Sequence, residues 1–134
     1  MKRIGFLLLM LMATILVSSC GNKADEAKIQ AVEFLDAYFK VDYIRAAEYC
    51  TDKLKGDIIK AFEQIESLEP GVKESVIRNT SQTKAEITSV DTESKRDTVV
   101  VNYKVILPSF PNGIDNRLSL IKEGKVWKVC DFGQ

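Results

Sequence analysis

Apolar residues change their spacing once along this chain, near residue 84, from a helical to an alternating rhythm. From Asp25 to Lys40, Ala27, Ala31, Phe34, Leu35 and Tyr38 recur every three or four positions, which places them on one face of a helix. Asp25 and Glu26 fall in its first turn, where the helix dipole favours negative charge. Asp42 is placed to cap a second, short helix to about Cys50, with Tyr43, Ala46, Ala47 and Cys50 on its inner face. Thr51 or Asp52 opens a third, striped by Leu54, Ile58, Ala61, Phe62, Ile65 and Leu68. Lys53, Lys55, Asp57, Lys60, Glu63 and Glu66 form its solvated face. Glu69-Pro70-Gly71 stops it, because proline cannot continue the hydrogen-bond ladder and glycine releases the chain. Val72 to Asn79 predicts one more short helix.

Beyond this point the period is two. Strands are predicted over Lys84–Thr92, Thr98–Leu107, Asp115–Lys122 and Val126–Phe132. Glu123-Gly124 supplies a tight turn between the last two, and Pro108-Ser109-Phe110-Pro111-Asn112-Gly113 a longer loop between the second and third. Helices first and a run of strands afterwards predict an α+β fold, with N-terminal helices packed on a curved, four-stranded antiparallel meander.

The first twenty residues obey neither rhythm. Lys2 and Arg3 precede an uncharged apolar stretch from Ile4 to Val17, followed by Ser18, Ser19 and Cys20. This is the layout of a secretory signal peptide over residues 1–19, and the stretch falls short of the roughly 20 apolar residues of a spanning helix. Leu16-Val17-Ser18-Ser19-Cys20 resembles the lipobox of bacterial lipoproteins, which implies acylation of Cys20 and attachment to a membrane through that lipid. Residues 20–26 then read as the lipidated cysteine and a polar tether, and 27–134 as one domain. Position 21 is Gly and not Asp, which by the same resemblance implies the outer membrane of a bacterial cell envelope, on its periplasmic face or at the cell surface.

Charge narrows the partners. The 19 basic and 19 acidic residues balance, and loss of Lys2 and Arg3 with the leader leaves a small acidic excess. That is not the basic footprint of a nucleic-acid binder. The chain has no histidine, and Cys20, Cys50 and Cys130 lack paired metal-ligand spacing, so neither a metal site nor a cofactor is expected.

Ala31–Cys50 (AVEFLDAYFKVDYIRAAEYC) and Lys122–Phe132 (KEGKVWKVCDF) together resemble small lipoprotein domains of unknown function in the nuclear transport factor 2-like superfamily. The residues in question are Phe34-Leu35, Asp42-Tyr43, Ala46, Ala47 and Tyr49, and the closing strand Gly124 to Val129. The resemblance implies a cystatin-like cone, a curved sheet wrapped around helices, whose interior holds a ligand, a catalytic site or packed side chains. Members include isomerases, dehydratases, binding proteins and dimeric scaffolds, so the fold alone does not select a function.

Three sets of residues are candidates for chemistry. Cys50 and Cys130 form either a disulfide, which an oxidising envelope favours, or two buried free thiols. Asp131, with Tyr103 and Trp127, is the one enzyme-like set: a carboxyl beside aromatics in a dry cone would move protons, whereas as plain structure Trp127 and Tyr103 pack the sheet and Asp131 is solvated. Side chains alternate across a strand, so, barring a bulge, Cys130 and Asp131 cannot both point inward. Phe110, between two prolines, either rims a pocket or folds back to plug the end of the sheet. The leading expectation is a lipid-anchored, non-enzymatic binding or accessory domain. Trp127, Tyr103 and Phe110 would contact a small apolar ligand, a peptide segment or an envelope protein. The alternatives are an isomerase or hydrolyase using Asp131 and Tyr103, and a scaffold that forms a homodimer through the outer sheet face.

Overall fold

Asn22 caps the first helix by accepting a hydrogen bond from the Ala24 N–H at 3.0 Å, and from there the helical stripe of small and aromatic residues turns inward. A computed structural model describes residues 22–133. The signal peptide and the acylation of Cys20 lie outside the described residues. Helix α1 spans Lys23–Phe39, α2 Tyr43–Glu48, α3 Asp52–Glu66 and α4 Pro70–Ser81. Strands β1 (Lys84–Asp91), β2 (Thr98–Leu107), β3 (Phe110–Glu123) and β4 (Val126–Phe132) pair antiparallel in the order β1-β2-β3-β4. This is the α+β arrangement of helices followed by a four-stranded meander that the change of period predicts. The sheet is open, with β1 and β4 at its edges.

Helix α1 ends in a Schellman motif. Asp42 N–H donates to the Ala37 carbonyl and Val41 N–H to that of Tyr38, with Val41 in the left-handed region at φ 61°. Asp42 then caps α2, accepting from the Arg45 N–H. The core lies between α1, α2 and the inner sheet face. Ala27, Ala31 and Phe34 of α1, Val99, Val101 and Tyr103 of β2, Leu118 and Leu120 of β3, and Trp127 and Val129 of β4 are buried in it. Burying each large side chain contributes about 1.5–3 kcal/mol, so this one cluster supplies the main driving force.

The helical layer is tied to the sheet by backbone as well. Thr51 N–H donates to the Val129 carbonyl at 2.9 Å, and Val129 N–H donates to that of Tyr49 at 2.8 Å. In α3 only Ile58 is buried, although the rest of its apolar stripe is half-buried, and α4 buries no residue. The six charged residues expected on the outer face of α3 are all exposed.

Four local expectations need correction. Residues 23–26, read as tether, form the first turn of α1, because Asn22 caps it earlier than Asp25 suggests. Pro70 does not merely stop α3. It occupies the first turn of α4, where its missing N–H costs nothing, so that helix runs from Pro70 to Ser81. The loop Pro108–Gly113 contracts to a turn at Pro108-Ser109, and β3 begins at Phe110. Pro111 is tolerated there because the β2–β3 register is broken between Val105 and Leu107, and Gly113 supplies the φ of 78° that the irregularity requires. Finally, Phe110 does not fold back as a plug: it is 56% exposed at the start of β3.

Candidate functional site

Helix α1 carries a second apolar stripe beside the one that builds the core. Val32, Leu35 and Phe39 follow each other at helical spacing and face β1, where Ala85 and Ile87 point toward them. Between the two elements runs a groove of about 690 Å³, within the range of small-molecule sites. Ser81 and Thr83, at the junction of α4 and β1, also line it. The rim is charged, with Lys28, Asp36 and Lys40 on α1 and Lys84 and Glu86 on β1. Asp36 is held by two cations: Lys40 Nζ lies 3.0 Å from one carboxylate oxygen and Arg45 Nη2 2.9 Å from the other. Hydrogen bonding to Lys40 first and Arg45 second keeps the Asp36 carboxyl below its ordinary range. The groove thus combines apolar side chains with charges held in ion pairs. The sequence signal for it was the Val32, Leu35, Phe39 spacing, hidden because Leu35 also belongs to the core stripe.

The residues singled out from sequence do not line this groove, and the structure scatters them. Tyr103 is 1% exposed and packs in an aromatic cluster with Phe132, itself 4.9 Å from the Phe34 ring and 4.6 Å from that of Tyr38. Burial, reinforced by nearby Tyr38, raises the Tyr103 hydroxyl well above the usual phenol range. That hydroxyl and the Trp127 Nε1 are buried without a hydrogen-bond partner among the described residues. Trp127 is covered by cations: Lys23 Nζ lies 5.7 Å and Lys122 Nζ 5.8 Å from its ring centre. Phe110 stands exposed near the β2–β3 turn.

Asp131 pairs with Ser119, between the buried Leu118 and Leu120, which puts it on the outer sheet face, opposite Tyr103. The two do not converge. A bulge explains why alternation misleads here. Leu120 pairs with Val129 and Ser119 with Asp131, leaving Cys130 as the extra residue, so Val129 and Phe132 both face the core.

The structure has Cys50 and Cys130 as free thiols. Cys50 is buried on the helical side, with its Sγ 3.4 Å from the Ala46 carbonyl, and burial pushes its thiol up to about 12. Cys130 sits at the bulge, its Sγ 3.4 Å from the Ser119 carbonyl. Burial first, and the charge of Asp131 second, raise its thiol too.

Among the described residues no helix is long and apolar enough to cross a membrane. No family model, curated protein or solved structure matches the chain.

Proposed function

We propose that this protein is a lipid-anchored, non-enzymatic binding domain of the bacterial cell envelope, whose α1–β1 groove takes a small, largely apolar ligand. The observation that carries the first half is the order of residues at the N-terminus. A basic start, an uncharged apolar stretch and two small residues lead into Cys20, and a capped helix begins immediately afterwards. A diacylated cysteine holds a domain firmly, since each buried methylene contributes about 0.8 kcal/mol. The domain then needs no lipid-binding surface of its own. Support for the second half comes from the groove, which is lined by the apolar Val32, Leu35, Phe39, Ala85 and Ile87 together with charged and hydroxyl side chains. The resemblance to nuclear transport factor 2-like lipoprotein domains is compatible with a binding role and specifies no ligand.

Mass spectrometry of the protein extracted from membranes tests the anchor. The expected product begins at Cys20 and carries acyl chains, and a chain still beginning at Met1, or one free of fatty acid, rejects it. Titration with anilinonaphthalene sulfonate tests the groove. Saturable fluorescence enhancement is expected in the native protein and should vanish in Val32→Arg, which fills the groove from a position already 45% exposed. An unaltered titration in that variant removes the groove from consideration.

A further inference from the structure

We infer that the start of α1 and the β3–β4 hairpin form the end of the molecule that faces the lipid bilayer, with the Phe39 end of the groove held away from it. This orientation rests on acylation of Cys20. Cys20 precedes the helix cap Asn22 by two residues, and an extended residue spans at most about 3.3–3.6 Å, so the anchor lies within about 7 Å of the cap. Only Gly21 stands between Cys20 and that cap in the sequence.

Two contacts show what else lies at that end. Lys23, the first residue of α1, and Lys122 of β3 both lie over the Trp127 ring. Lys122 pairs with Trp127 directly beside the hairpin, whose turn residues are Gly124 and Lys125. Thr98 pairs with Ile121, so the loop of residues 92–97 emerges at the same end of the sheet. Its cations (Lys23, Lys95, Arg96, Lys122, Lys125) are offset by Asp25, Glu26, Glu93, Asp97 and Glu123. The tether, not net charge, therefore sets the orientation.

The opposite pole carries the β2–β3 turn. From Glu123 to Phe110, β3 covers about 40 Å of extended strand. The groove lies against Ala85 and Ile87, whose partners Val105 and Tyr103 sit in the half of β2 nearer that turn. Along α1, Phe39 is about 24 Å from Lys23. That exceeds the headgroup layer, about 5–7 Å per leaflet, so a ligand reaches this part of the groove from the aqueous phase.

Trp127 is the chain's single tryptophan and serves as a built-in donor. The full lipidated protein is placed in phosphatidylethanolamine vesicles containing a trace of dansyl-phosphatidylethanolamine, and energy transfer from the tryptophan is measured. Transfer from Trp127 is expected to exceed, several-fold, that from the double variant Trp127→Phe, Phe110→Trp. Equal or greater transfer from position 110 overturns the orientation. Hydrogen exchange of the unsubstituted protein gives a second reading that does not depend on replacing a buried tryptophan. Vesicle attachment should slow the amides of residues 123–126 more than those around Phe110, and the reverse pattern overturns the proposal. The intact mass of the same sample separates the two failures. An acylated protein with the reversed pattern defeats the orientation alone, whereas an unacylated one defeats the anchor and the orientation with it.

Discussion

Cys50 and Val129 form an isolated parallel bridge that joins the α2–α3 junction to the edge strand β4. The bridge fixes Cys50 against the inner side of β4, where the Val129 side chain is fully buried. The next residue, Cys130, is displaced into a bulge. The structure has both cysteines as free thiols. Lipidated protein, denatured without reductant, should titrate two thiols, those of Cys50 and Cys130. Finding none would show that they are bonded.

Alkaline pH should destabilise the fold. Burial pushes the Cys50 thiol from 9.0 up to about 12 and the Tyr43 hydroxyl from 10.0 up to about 12. Both groups are neutral when protonated, and the folded state favours that form. Their contribution is therefore complete below the unfolded values and is lost as pH rises through the folded ones. The unfolding free energy from urea titrations should fall progressively above pH 9, by at most about 1.4 kcal/mol per pH unit for each group. In Cys50→Ala the decline should be shallower, with the raised Cys130 thiol and Tyr43 hydroxyl still contributing. An identical profile in that variant would show that the Cys50 thiol plays no part.

Val41 is a β-branched residue at φ 61°, where a helix terminus ordinarily carries glycine. Removing its side chain by Val41→Ala leaves the left-handed strain in place, whereas Val41→Gly releases it. Denaturation should rank the glycine variant above the alanine variant by about 1 kcal/mol, the reverse of their order inside a helix. The ordinary order, alanine above glycine, would place Val41 outside the left-handed region.

Leu120 and Phe110 lie on one strand with opposite fates. Leu120 is completely buried between Val99 and Val129, and Phe110 is 56% exposed. Leu120→Ala should cost about 2–5 kcal/mol through lost burial and the cavity left behind. Phe110→Ala should stay within about 0.5 kcal/mol. Comparable losses at both positions would mean that Phe110 packs against something in the folded protein.

Local chemistry was legible before any fold was known. The change of period near residue 84 separates helices from strands, and Thr98–Leu107 and Val126–Phe132 begin and end where alternation and turn residues say. Asp42 caps α2 as its position predicts. These features depend on hydrogen bonds and side-chain spacing within a few residues, which the order of amino acids alone specifies. The tertiary structure decided what depends on neighbours from elsewhere in the chain. Which of two overlapping stripes on α1 meets the core, and which lines a groove, follows from where β1 lies. Which way Cys130, Asp131 and Phe132 point follows from one extra residue in the β3–β4 ladder. A bulge reverses the facing of every residue beyond it, and it is defined by two strands at once, so neither strand's own sequence contains it.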